Sequence, residues 1–300
     1  MEFSILKYGS SVRGDSDKYS DKDLLIVAES IIDFKKIEKK YLKQSWSISY
    51  YTYDKLQYLA DNGFLFIKHL IKEGKIEYDT NNNLKKILDS FKETKNYIQE
   101  VKNTEEFFNF VHTIPRNDVS FSWLCDNVYV NFRNNLIYKS AINGNYTFSY
   151  LHLIDHLYDC KIISKNELEI LTQLRVIKSC YRNNYNDIRP SYNYIKELIN
   201  IMNKLGININ LNFTSIDNLN EIYNLNEISN PYKKLRLIEL QFKNLEIEDK
   251  EMEKYIANPQ FYANCKSIIK VTNKFVENLE KHKMFEKNDI NNFQIKKILK

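Results

Sequence analysis

The sequence predicts an α+β fold: a small mixed-sheet domain over residues 1–83, followed by a larger all-helical domain over residues 84–300. Three observations point there. Short apolar runs of strand character crowd the first segment, and apolar residues recur at helical spacing from Leu84 onward. The chain also has only 6 Gly and 4 Pro in 300 residues, too few breakers for a loop-rich or low-complexity protein. This length suggests about two domains. No internal repeat is present.

In chain order, Phe3 to Tyr8 is a first short apolar stretch, and Asp23 to Val27 is a second that opens on a carboxylate. Ile31 to Leu42 fits a helix whose outer face is basic (Lys35, Lys36, Lys39, Lys40). Ser45 to Tyr51 alternates small polar and large apolar residues, the period-2 pattern of a half-buried strand. Asp54 with Gln57 reads as a capping box opening a helix that ends near Asn62-Gly63. Phe64 to Lys72 resumes helical spacing, and Gly74 stops it before a short Lys75–Tyr78 strand. Beyond the boundary at Asn81–Asn83, helical faces recur in Leu84-Ile87-Leu88-Phe91, in Leu168-Leu171-Leu174-Ile177 and in Leu235-Ile238-Leu240-Phe242-Leu245. Breakers fall between such segments at Pro115, Asn143-Gly144-Asn145, Pro190, Gly206, Pro231 and Pro259.

Composition narrows the class. Hydrophobic residues make up 43% and charged residues 28%, as in ordinary globular proteins. Lys plus Arg is 44 against 39 Asp plus Glu, a formal charge of +5 that permits an anionic partner without demanding one. No apolar run of about 18 residues occurs, so no membrane partner is expected. The start MEFSILKYGS lacks the basic and apolar regions of a signal peptide, so a cytoplasmic location is expected. Cys125, Cys160, Cys180 and Cys265 form no CxxC pair and read as thiols in a reducing compartment. The abundance of Asn, Lys, Ile and Tyr reflects coding bias and carries no functional weight.

One stretch stands above this background, Tyr8-Gly9-Ser10-Ser11-Val12-Arg13-Gly14, continuing to Ser20-Asp21-Lys22-Asp23-Leu24. A strand ends at Gly9-Ser10, a turn or helix start follows, and the chain re-enters a strand expected to open with Asp21-x-Asp23. Gly9 has no Cβ, so a backbone can approach bulky anionic oxygens there. Ser10 and the N–H groups of the turn suit phosphates. Residues two apart on a strand point to one face, which places Asp21 and Asp23 side by side. Paired hard oxygen ligands suit Mg²⁺, which completes its shell with water and phosphate oxygens. Arg13 can stabilise charge on a phosphate as its bond breaks.

This stretch resembles the signature of the polymerase-β-like nucleotidyltransferases, a Gly-Ser pair followed by Asp-x-Asp on a strand. The extended form, Gly-Ser-x-x-Arg-Gly and then Ser-Asp-x-Asp-Leu, is closest to the minimal nucleotidyltransferases and their bacterial defence relatives. It covers under a tenth of the chain. The resemblance implies transfer of a nucleoside monophosphate from a nucleoside triphosphate to a hydroxyl, with pyrophosphate released. It assigns the triphosphate to Gly9, Ser10 and Arg13, and two Mg²⁺ ions, or Mn²⁺, to Asp21 and Asp23 as metal-binding catalytic residues. It also implies template-independent nucleotide-chain synthesis in bacterial anti-phage defence, with a single-stranded oligonucleotide acceptor and a defence-system partner protein. The alternatives are NMPylation of a partner protein and a degenerate nucleotide-binding module. The family places a third carboxylate on the neighbouring strand, where this chain has Ser47 and Ser49. Asp54, read as a cap, is the nearest acid in sequence, and Glu77 or Asp79, on or after a later strand, would reach the metals if the sheet order brings them close.

Other signals are weaker. His152-x-x-x-His156 has zinc-like spacing but reads as structural or solvent-facing. His69 reads as a helix-packing residue rather than a base. Tyr181-Arg182, Tyr185, Arg189, Tyr192 and Tyr194 interleave aromatics and bases as single-strand grooves do, in a chain with 22 Tyr throughout. Arg133 either faces the nucleotide cleft or forms a structural ion pair. The tail Lys296-Lys297-Ile298-Leu299-Lys300 reads as a solvated helix end.

Overall fold

The structure is a computed structural model that describes residues 2–30, 34, 37, 46–93, 96–183, 185, 188–215, 223, 225–247, 250 and 272–279. It is α+β, with a small mixed sheet and a mostly helical remainder. The chain divides into two compact units, one comprising Met1–Asn109 and Phe121–Asn210, the other Phe110–Ser120 and Leu211–Lys300.

The first unit begins with β1 (Phe3–Tyr8), the four-residue helix α1 (Ser10–Arg13), β2 (Asp23–Ala28) and β3 (Ser47–Thr52). Helices α2 (Tyr53–Asp61) and α3 (Leu65–Glu73) then lead into β4 (Gly74–Asp79). The strands lie in the order β3-β2-β1-β4; β1 is antiparallel to both β2 and β4, and β2 is parallel to β3. Alternation along the strands feeds two cores. Leu6, Tyr8, Leu25 and Val27 pack with Leu56, Ile67, Leu70 and Leu84 on one face. On the other, Ile5, Leu24, Ile26 and Ile48 pack with Phe34 and Ile37, the only described residues of the helix expected over Ile31 to Leu42. Full burial of such side chains stabilises by about 1.5–3 kcal/mol each.

Local chemistry fixes the junctions. α3 runs directly into β4 because Gly74 lies between them, where a Cβ would stand 2.2 Å from the Leu70 carbonyl oxygen. The cap of α2 is Thr52, whose hydroxyl accepts from the Lys55 N–H at 3.2 Å. Asp54 is therefore not the cap. It sits exposed in the first turn, where its charge still favours the helix N-terminus. Gln57 donates instead to Ser90 Oγ, at 3.0 Å.

The helical part of this unit comprises α4 (Asn83–Asp89), α5 (Ile98–Glu105), α6 (Asp118–Ile142), α7 (Tyr150–Asp159), α8 (Lys165–Arg182) and α9 (Tyr192–Lys204); the first residues of α6 belong to the other unit. α8 opens on a capping box between Ser164 and Glu167. In the second unit, β5 (Thr113–Pro115) pairs in parallel with β6 (Asn212–Thr214), so the helical remainder also contains strand pairing. Strands of three residues are too short to show a period. α10 (Pro231–Asn244) begins with a proline in its first turn, capped by Asn230. Among the described residues no helix is long and apolar enough to cross a membrane. Cys125 and Cys180 are buried free thiols and Cys160 an exposed one. Cys265, Pro259 and the Lys296–Lys300 tail lie outside the described residues.

Candidate functional site

The corner between β1 and β2 sets the site. Tyr8 pairs with Asp23 across the two strands, so the chain leaving β1 at Gly9 stands beside the first residue of β2. Gly9 has φ 76° and ψ −151°, a conformation open essentially to glycine alone. A Cβ there would lie 3.0 Å from Asp23 Oδ2, so the missing side chain is what lets the corner approach the carboxylate. β2 begins at Asp23 rather than at Asp21, which lies two residues ahead in the incoming loop.

A cleft open to solvent gathers all five expected site residues: Gly9, Ser10, Arg13, Asp21 and Asp23. Its other wall is helical and lies within the same unit, with Tyr129 and Arg133 from α6 and Arg175 and Lys178 from α8. Burial and then the neighbouring Asp21 raise the Asp23 carboxyl to about 6, against the opposing pull of Arg133, Lys178 and Arg13. Beneath it, the Tyr8 hydroxyl shares a 3.2 Å hydrogen bond with Ser49 Oγ. Burial first, and the Asp23 charge second, hold that phenol far above its ordinary value.

The cations each have an acceptor. Lys178 Nζ lies 3.2 Å from Asp21 Oδ2. Arg175 donates to both carboxylate oxygens of Asp17, at 2.7 and 2.8 Å, and to Ser20 Oγ at 2.9 Å, clasping the loop that carries Asp21. Arg133 donates to the Phe148 carbonyl at 3.2 Å. Arg13 donates to Glu73, and to Asp15 at 3.1 Å. Glu73 in turn accepts from His69 Nε2 at 2.9 Å.

The sheet order decides the third carboxylate. Asp23 pairs with Ser47 and Leu25 with Ser49, so β3 offers hydroxyls on this side of the sheet. β4 lies beyond β1, away from β2. Glu77 pairs with Lys7 at 3.2 Å, and Lys7 faces away from Leu6 and Tyr8. Asp79 sits opposite Ser4, far along β1 from Tyr8, and its carboxylate accepts the Leu84 and Lys85 N–H groups at 3.0 and 2.9 Å. Neither joins the pair at the cleft. Among the described residues no group of three or more His, Cys, Asp or Glu side chains is arranged to hold a metal. The two aspartates do offer Mg²⁺ a fit as partial ligands: Asp21 is exposed and Asp23 partly buried, and the charge of Asp21 on the Asp23 carboxyl is a repulsion that a cation relieves.

The remaining signals resolve into structure. His152 and His156 are exposed on α7, and His156 approaches Cys160 Sγ at 3.7 Å. In the Tyr/Arg stretch, Arg182 makes a two-pronged pair with the fully buried Asp126 at 2.7 and 2.6 Å. Tyr192 stacks on Phe121, Tyr194 donates to the Ile170 carbonyl at 3.0 Å, and Tyr185 is exposed. Sequence reasoning missed Arg175 and Lys178. Their signal was a pair spaced i, i+3 on α8, on the flank of the buried Leu171-Leu174-Ile177 stripe. No protein-family model matches this chain, and no curated protein matches it.

Proposed function

We propose that this chain is a Mg²⁺-dependent nucleotidyltransferase that takes a nucleoside monophosphate from a nucleoside triphosphate and passes it to an acceptor hydroxyl, releasing pyrophosphate. One observation carries the reading. Two close carboxylates and the glycine corner lie in one cleft with Arg13, Arg133, Arg175 and Lys178, a local pairing of a cation site with a polyanion site. Asp21 and Asp23 hold the metal, and Mg²⁺ or Mn²⁺ there supplies Lewis-acid stabilisation of the α-phosphoryl group. Ser10 and Arg13 bind phosphate oxygens. Arg175 and Lys178, which neutralise Asp17 and Asp21, exchange those partners for phosphate oxygens when a triphosphate enters. The acceptor proposed is a nucleotide or growing oligonucleotide, extended without a template in the setting of anti-phage defence.

Incubation with labelled NTPs and dNTPs and Mg²⁺ or Mn²⁺, resolved on a gel, tests the proposal. Labelled oligomers are expected, and Asp21→Ala and Asp23→Ala abolish them. Label on protein instead transfers the reading to NMPylation of a partner. No product from any substrate overturns nucleotidyl transfer. A second reading, a nucleotide-binding module without turnover, is favoured by the serines at 47 and 49, where a third acid would complete the metal site. Asp21→Ala separates the two, because a binding module without turnover retains its biological activity.

A further inference from the structure

Nucleotidyl transfer to a hydroxyl needs a group to take the hydroxyl proton. The aspartates of the cleft are committed to the cation in the reading above, and β3 supplies no acid. The cleft has one imidazole among its described lining residues, His69 on α3. We propose that His69 is the proton acceptor for the acceptor hydroxyl and that Glu73 is its positioning residue. This inference rests on the nucleotidyl-transfer reading.

The geometry around His69 carries the argument. Its ring lies flat on Phe148, with centroids 4.4 Å apart and planes 20° apart, and meets Tyr8 edge-on at 5.4 Å. Two aromatic contacts at right angles fix the plane of the imidazole. Glu73, one turn along α3, fixes the rotation within that plane through its 2.9 Å bond to Nε2. Glu73 also accepts from Arg13, so it is held as a carboxylate, and Nε2 must carry the proton. Nδ1 is then the basic nitrogen, and it makes no hydrogen bond among the described residues. A base oriented by a carboxylate through its other nitrogen is the arrangement that nucleophile activation uses.

The charged and titratable groups facing the ring are Glu73 on its own helix, Tyr8 on β1, Arg13 on α1 and Arg133 on α6. Burial lowers the His69 pKa below its usual value; the Glu73 hydrogen bond and charge oppose this, and the charges of Arg133 and Arg13 reinforce it. The imidazole is therefore neutral and basic at pH 7. In the step itself, the hydroxyl proton passes to Nδ1 as the acceptor oxygen bonds the α-phosphorus. The bond from that phosphorus to the bridging oxygen breaks, and its electron pair leaves with pyrophosphate. The imidazolium then gives the proton to water.

The test compares the full chain with His69→Gln, His69→Ala and Glu73→Gln, reading nucleotide affinity with a non-hydrolysable NTP analogue and single-turnover transfer with labelled NTP. His69→Gln can keep the hydrogen bond to Glu73 but has no basic nitrogen. It is expected to bind the analogue within about twofold of the parent and to transfer about a hundredfold more slowly. Added imidazole is expected to restore part of the rate to His69→Ala. Glu73→Gln removes the anion that favours the imidazolium, so the acid limb of its pH–rate profile is expected at lower pH. Transfer by His69→Gln at the parent rate overturns the proposal, as does a loss of affinity matching the loss of rate. A parent chain that makes no labelled product refutes nucleotidyl transfer itself and this step with it, whereas an active His69→Gln refutes only this step.

Discussion

At Asp23 burial and a neighbouring carboxylate act in the same direction, and the carboxyl titrates at about 6 instead of 3.8. A carboxyl whose pKa is raised on folding binds its proton more tightly in the native chain than in the unfolded one. Its contribution to stability is present below the unfolded value and is lost as pH rises through the folded one. The difference of about two pH units corresponds to roughly 3 kcal/mol. Asp23→Asn is therefore expected to be more stable than the parent at pH 7, by up to about 3 kcal/mol in urea melts without metal. The advantage shrinks toward pH 4, and Mg²⁺ stabilises the parent while leaving the variant unmoved. A stability advantage of Asp23→Asn that is the same at pH 4 and pH 7 contradicts this. Gly9 makes a second prediction at this scale. Gly9→Ala must place a side chain at φ 76°, ψ −151° and 3.0 Å from Asp23 Oδ2. It is expected to lose about 1–3 kcal/mol of stability, and a melt identical to the parent's refutes the corner's role.

Helix α8 joins two kinds of ion pair, and they differ in worth. Arg182 meets Asp126, which is fully buried, through two short hydrogen bonds. Arg182→Ala leaves that carboxylate without its cation, and a loss of about 3 kcal/mol in denaturant midpoint analysis is expected. Arg175 meets Asp17 in the solvent-facing loop and, by direct hydrogen bonding first, lowers the Asp17 carboxyl to about 2. A depressed carboxyl stabilises above its unfolded pKa and loses that contribution as pH falls toward 2. Solvent exposure limits the gain to about 1 kcal/mol or less. The measurable effect is local: Arg175→Ala is expected to speed amide exchange in residues 15–22 with little change in the global melt. Equal protection in both chains contradicts the clasp.

These elements also mark what the sequence made legible. β1, β2 and β3 were readable because each has alternating or continuous apolar character, and the glycine corner because its residue types are unusual together. The cap at Thr52 was misplaced to Asp54 because both are good capping residues and only the backbone geometry chooses between them. β5 and β6 were too short to read. His69 looked like packing, which it is, but packing against Phe148 and Tyr8 also sets it in the cleft wall.

At the scale of the molecule, a formal charge of +5 says little about where charge acts. In the first unit, Asp17 and Arg175 are 158 residues apart in sequence and bonded in space. Such a pairing has no local signature, which is why the helical wall of the cleft was not readable beyond Arg133. The loop carrying Asp21 is thus held by a helix distant in sequence, and the candidate site depends on the folding of the whole unit. The decisive experiment is a structure of the full chain with Mn²⁺ and a non-hydrolysable NTP analogue, with the metal located by its anomalous scattering. Metal bonded to carboxylate oxygens of Asp21 and Asp23 and to phosphate oxygens of a triphosphate lying against Gly9 and Ser10 is expected. Nucleotide bound elsewhere, or a triphosphate in the cleft with no metal on those carboxylates, contradicts it.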